Sequence, residues 1–170
     1  MPASIQQDER SAGIPLLQRS RRHILWAPMR LLEKDHRDVL PRLRRFKSIL
    51  LRWQRGGALR APSEAREVCL FVPPLIAKTV PHFRTEEKIV FPYLKRHAPR
   101  LTTRLERIQA EHPALLRELA KLRKAALIFA RKSASKAAVK RVSRQGLFLA
   151  RGLHAHIQKE ERLMRRFRAI

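Results

Sequence analysis

The chain repeats one pattern in its two halves. His36 is followed 46 residues later by His82, with Glu86 and Glu87 four and five positions beyond; His112 is followed 44 residues later by His156, with Glu160 and Glu161 at the same offsets. A duplication at this interval points to two copies of one supersecondary unit, each too small to bury its own apolar face. The residues around it set the unit's type. Met29, Leu32, His36, Val39, Leu40, Leu43, Phe46, Leu50 and Trp53 recur mostly every three or four positions, the period of a helix with one buried stripe. Only five glycines occur in 170 residues, fewer turns than a many-stranded sheet needs, and no strand pattern competes. An all-α chain follows.

Four helices are expected. The first 25 residues mix Ser, Gln and Arg with little periodicity and read as a flexible basic N-terminal arm (1–25), ahead of one helical domain (26–170). The first helix starts near Pro28, should kink at Pro41, and stops at Gly56 and Gly57. The second starts at Ser63, an N-cap with Glu64 and Glu67 in its first turn. Pro73, Pro74 and Pro81 should kink or split it, leaving a last piece from Pro81 to Phe91. The third runs from about Arg100 to Arg131, interrupted at Pro113, with Ala114, Leu115, Leu119, Leu122, Ala126 and Phe129 on its apolar face. The fourth runs from Ser135 to the end, with Val139, Val142, Leu149, Leu153, Ile157, Met164 and Phe167 inward. Short joints make this an antiparallel, up-down four-helix bundle.

Residues four apart on a helix lie on one face, so His82 with Glu86, and His156 with Glu160, each present an imidazole and a carboxylate in one direction. Hairpins set His36 and His112 opposite. If the halves pack about a pseudo-twofold axis, four imidazoles and two carboxylates converge, a set suited to two metal ions sharing two bridging carboxylates. Imidazole and carboxylate together favour iron, manganese or zinc. Six protein ligands leave open positions on two ions. Glu87 and Glu161 are alternative ligands, one residue round from their neighbours. Glu33, Asp35 and Glu111 are placed to orient the imidazoles by accepting hydrogen bonds. Eight of the 14 acids lie within five residues of these four histidines. In so basic a chain that gathering is not what scatter would give.

Charge is the competing signal. With 39 Lys and Arg against 14 Asp and Glu, the net charge is +25, which on its own favours nucleic acid or another anionic partner. Segments such as Arg19 to His23, Arg42 to Arg55, Arg117 to Lys124 and Arg131 to Lys140 would carry it, so a metal-free basic bundle is the alternative reading. Apolar content of 44% excludes a disordered basic tail. The single cysteine, Cys69, excludes an internal disulfide and a CxxC site and reads as a small buried hydrophobe. His23, His97 and His154 fall outside the pattern, and Trp26 and Trp53 read as end-of-core anchors. The longest apolar run, Leu70 to Ala77, is too short to span a bilayer and holds two prolines. No secretory signal is visible in Met1 to Gly13. The expected setting is the cytoplasm.

Together, His36, His82-xxx-Glu86-Glu87 followed by Phe91-Pro92, Glu111-His112, and His156-xxx-Glu160-Glu161 resemble the hemerythrin-like HHE cation-binding domain over about residues 27 to 168. The resemblance implies a four-helix bundle holding a non-haem di-iron centre bridged by carboxylates and an oxygen atom. It implies binding or sensing of O2, NO, iron or redox state, in some members in stress response or iron–sulfur repair, by a monomer or dimer with a small diatomic partner. Oxygen carriers of the family have a further histidine where this chain has Ile108, which turns the likeness towards the stress and repair branch. No N-terminal domain or cysteine pair accompanies it. A ferritin-like oxidase would need two Glu-x-x-His motifs, and only Glu33 to His36 supplies one. Binding is therefore expected ahead of enzymatic turnover.

Overall fold

The computed structural model describes residues 16–56, 62–131 and 135–168, with side chains described at 29–56, 64–130 and 135–168. Its elements are α1 (Leu16–Gly56), α2 (Pro62–Thr85), a π-helical turn (Glu86–Val90), α3 (Phe91–His97), a 3₁₀ turn (Pro99–Leu101), α4 (Thr102–Gln109), α5 (His112–Arg131) and α6 (Lys136–Arg168). They form four helical rods: α1, α2 continued through the π turn into α3, α4 followed by α5, and α6. No strand occurs among the described residues, and no helix there is long and apolar enough to cross a membrane.

Two boundaries differ from the sequence reading. Helix α1 begins at Leu16, so residues 16–25 are helical, and only 1–15 of the expected arm lie outside the described residues. Between Pro15 and Pro28 the chain has neither Gly nor Pro and is rich in Leu and Arg. A helix nucleated downstream can extend back through such residues at little cost. The prolines do not split their helices, since α1 runs on through Pro41 and α2 through Pro73, Pro74 and Pro81. All four are exposed. The carbonyls they deprive of a donor therefore lie on the wet face, while Val72, Leu75 and Phe83 on the other face are buried and hold the rod down.

Helix α1 packs against α2 and α6, and α5 packs against the same two. Along α1 and α2 the partners run in opposite order. Arg52 donates to Glu64 at 3.1 Å, Arg45 to Glu67 at 2.9 Å, and Lys78 to Asp38 at 3.2 Å. The indole N–H of Trp53, a residue only 2% exposed, donates to Glu64 at 2.9 Å, and its ring lies tilted against Phe129 with centroids 5.6 Å apart. On α6, a Cβ at Gly146 would overlap Leu50 Cδ1 and lie 2.9 Å from Phe46 Cζ, so glycine here permits the close approach of α6 to α1.

The core is in two parts. One cluster is built from Leu43 to Trp53, the α2 residues Val68, Val72, Leu75 and Phe83, α5 and the first half of α6; the other from Met29, Leu32, Val90, Phe91, Leu94, Leu105, Ile108, Leu163, Met164 and their neighbours. Between them, crossing the bundle, lies a layer of buried polar side chains. Five core expectations shift slightly: Ala114 is exposed, while Val39, Leu40, Phe167 and Cys69 are half-buried.

Candidate metal centre

The polar layer consists of His36, His82, Glu86, His112, His156 and Glu160, each at most 9% exposed. One comes from α1, one from the end of α2, one from the π turn, one from the first residue of α5 and two from α6. Their ligand atoms fall into two overlapping groups, His36-His82-Glu86-Glu160 and Glu86-His112-His156-Glu160, within each of which all atoms lie inside 4.8 Å of one another. The carboxylates belong to both groups. Glu86 sets Oε1 3.5 Å from His82 Nε2 and Oε2 3.3 Å from His112 Nε2. Glu160 sets Oε1 2.6 Å from His156 Nε2 and Oε2 3.1 Å from His36 Nε2. Either group could hold a metal ion.

The opposite edge of each ring explains how those nitrogens are aimed. His82 Nδ1 lies 3.4 Å from Asp35, His112 Nδ1 2.7 Å from Glu87, and His156 Nδ1 3.0 Å from Glu111. A carboxylate can only accept there, so Nδ1 carries the proton and Nε2 turns a lone pair inward. Phe83 stacks on His112 with ring centroids 3.9 Å apart and meets His156 edge-on, which restricts both rings.

The interior is therefore rich in acceptors, and His36, whose Nε2 lies 3.1 Å from His82 Nε2, is the ring there not tied to an orienting acid on its other edge. Neither oxygen of Glu86 or of Glu160, nor Nε2 of His112 or His156, has a hydrogen-bond partner, although all are buried. Buried groups in this condition are strongly unfavourable unless a third, electropositive partner joins them. Burial and the facing charge of Glu160 push the Glu86 carboxyl well above the usual range. Burial acts the same way on Glu160, but the imidazoles of His156 and His36 hold it below that range. Burial lowers His82 and His112, keeping them neutral and able to ligate. It opposes the proton on His156 too, yet Glu160 and Glu111 raise that imidazole overall. The donor set fits a cation.

Other residues named from the sequence lie elsewhere. Glu33 pairs with Arg168, and Glu161 approaches Arg165 at 3.8 Å. His97 stacks on Tyr93 and contacts its carbonyl at 2.9 Å, while His154 meets Gln158 at 3.1 Å. The side chain of His23 falls outside those described. Sequence reasoning missed Phe83, whose only signal is its place next to His82, and Lys159, which pairs with Glu111 from one turn along α6.

No curated protein and no solved structure gives a significant match to the chain. One family model does match, described as the hemerythrin HHE cation-binding domain, over residues 27–167. That span contains the whole polar layer and all four rods' contributions to it, and the chain belongs to the hemerythrin HHE cation-binding family.

Proposed function

We propose that this chain is a non-haem di-iron protein, an antiparallel four-helix bundle that binds or senses a small diatomic ligand, O2 or NO, or reports iron and redox state. The observation that carries the reading is that Glu86 and Glu160 each offer one oxygen to each pair of histidines, the arrangement two bridging carboxylates require. His36 and His82 would hold one ion, His112 and His156 the other. Imidazole and carboxylate suit iron, with manganese or zinc as the other candidates. Bound iron would supply a redox couple and coordination positions open to an exogenous ligand.

The chain's own residues prepare the rest. Beside His36, His82 and His156 is a cavity of about 30 Å³, walled by Val39, Leu75, Phe83 and Leu153. A water needs roughly 10–15 Å³ on this measure, so the space suits a two-atom ligand and little more. Thr79, on the same wall, returns its hydroxyl to the Leu75 carbonyl at 2.7 Å and presents no free donor. Asp35, Glu87 and Glu111 fix the ring tautomers, and the apolar clusters on both sides exclude water.

Metal analysis and an absorption spectrum test the reading. Protein expressed with added iron should carry about two irons per chain, from two sets of ligands, and show near-ultraviolet charge-transfer bands. The pair His82→Ala with Glu86→Ala should abolish uptake, and His97→Ala should leave it intact. A folded, colourless, metal-free wild type overturns the proposal, and stoichiometric manganese or zinc overturns the iron assignment alone.

A further inference from the structure

On the surface beside the polar layer, a groove of about 310 Å³ opens between α4 and α6. Arg104 and Arg107 line it from α4, three apart on one helical face; Lys159, Arg162 and Arg166 line it from α6 at spacings of three and four. Its floor is apolar, formed by Ile108 and Leu163. The acid in this lining is Glu111, and it is already committed. It accepts from Lys159 on one oxygen and from His156 Nδ1 at 3.0 Å on the other.

Like charges gathered this way repel, and four of the five have no compensating acid. Arg104, Arg107, Arg162 and Arg166 are exposed and make no ion pair among the described residues. The basic face between α1 and α2 is arranged differently. Arg45 and Arg52, for example, are answered by Glu67 and Glu64 across the helix pair. The α4/α6 groove is thus a concave site with an uncompensated charge of about +4, given Lys159 neutralised by Glu111.

From this placement we propose that the α4/α6 groove binds a compact oligophosphate anion, such as inorganic triphosphate or the phosphate chain of a nucleoside triphosphate. Guanidinium forks match phosphate oxygens in pairs, and the four available arginines match the three to four negative charges of a triphosphate. The volume lies at the lower end of the range for small-ligand pockets, roughly 300–1,000 Å³. The cations converge from two helices on one hollow, whereas a nucleic-acid strand asks for a track. The apolar floor would lie against a base or ribose if the phosphates belong to a nucleotide.

Titration calorimetry of the full chain with inorganic triphosphate, with ATP and with a short single-stranded oligonucleotide tests this. Triphosphate should bind saturably at one site per chain. Arg104→Ala with Arg107→Ala, or Arg162→Ala with Arg166→Ala, should weaken it about tenfold or more, each lost charged hydrogen bond being worth of order one such factor. The control Arg44→Ala with Lys47→Ala, which removes the same charge from an exposed face of α1, should change it by less than about twofold, the residue of a screened long-range field. ATP binding more tightly than triphosphate assigns a nucleotide, and equal binding assigns the bare phosphate chain. The proposal is overturned by absence of saturation, by equal weakening in the α1 control, or by binding of the oligonucleotide alone. Circular dichroism of the exposed-site variants checks that the fold is kept.

Discussion

Asp35 stands beside His36 in the chain but steadies His82, and Glu111 stands beside His112 but steadies His156. The two halves follow the same crossed rule, in which the acid before one rod's histidine holds the ring of the next rod. They part company at the second acid of His-x-x-x-Glu-Glu. Glu87 reaches His112 Nδ1 at 2.7 Å, whereas Glu161 turns to Arg165 and leaves His36 Nδ1 buried without a partner. Orienting acids of this kind are worth about 10–100-fold in metal affinity. Glu87→Gln and Glu111→Gln should each weaken metal binding by that order in competition titrations with a coloured chelator, while Glu161→Gln should leave it unchanged. The six inward residues were legible in the sequence because a spacing of four on a helix fixes direction and a hairpin supplies the opposite side. The equality of Glu87 and Glu161 in the sequence was misleading, because a repeat specifies residue types without specifying the local helix that aims them.

That local helix is the π turn. The Phe91 N–H reaches back five residues to the Glu86 carbonyl, so the turn contains one residue more than an α-helical turn would. A ladder of steps of four drifts by about 40° per step on an α-helix. From His82 to Leu94 the drift would reach about 120° and carry Leu94 off the core. One residue accommodated in a wide turn takes back about 100°, which keeps Val90 and Leu94 buried below Glu86 and swings Glu87 towards His112. Deleting exposed Ile89 should therefore restore α geometry with the apolar register intact. The variant is expected to fold with a melting temperature within a few degrees of wild type, and to lose metal affinity about as much as Glu87→Gln does, roughly tenfold, in the same chelator titration. None of this was readable beforehand, since α and π turns differ by one hydrogen-bond step and share a composition. The alternative that Pro73, Pro74 and Pro81 split the helix failed for a related reason. Whether a lost donor matters depends on which face its carbonyl occupies, and that is set by packing.

At the scale of the whole molecule, the net charge is +25, yet the polar layer holds no lysine or arginine, and among the described residues Asp35, Glu87 and Glu111 are turned to histidines while Glu64 and Glu67 pair across α1 and α2. The division of the core has a different consequence. Among the described residues, the apolar cluster around Leu94, Leu105 and Leu163 has half as many buried members as the one around Leu50 and Leu122, eleven against twenty-two. The histidine and carboxylate layer between them contributes little cohesion by itself, because the inward oxygens of Glu86 and Glu160 and the Nε2 atoms of His112 and His156 go unpartnered. Bound ions would act as a clasp joining the two clusters into one cooperative unit, adding stability through their affinity for the folded state alone. Hydrogen-exchange mass spectrometry should then find the metal-free protein opening in two steps, the amides of α3, α4 and the last turns of α6 exchanging before those of α5. Adding the metal should slow the first group until both exchange together, so that the end of the bundle with the smaller core owes its persistence to chemistry at the middle.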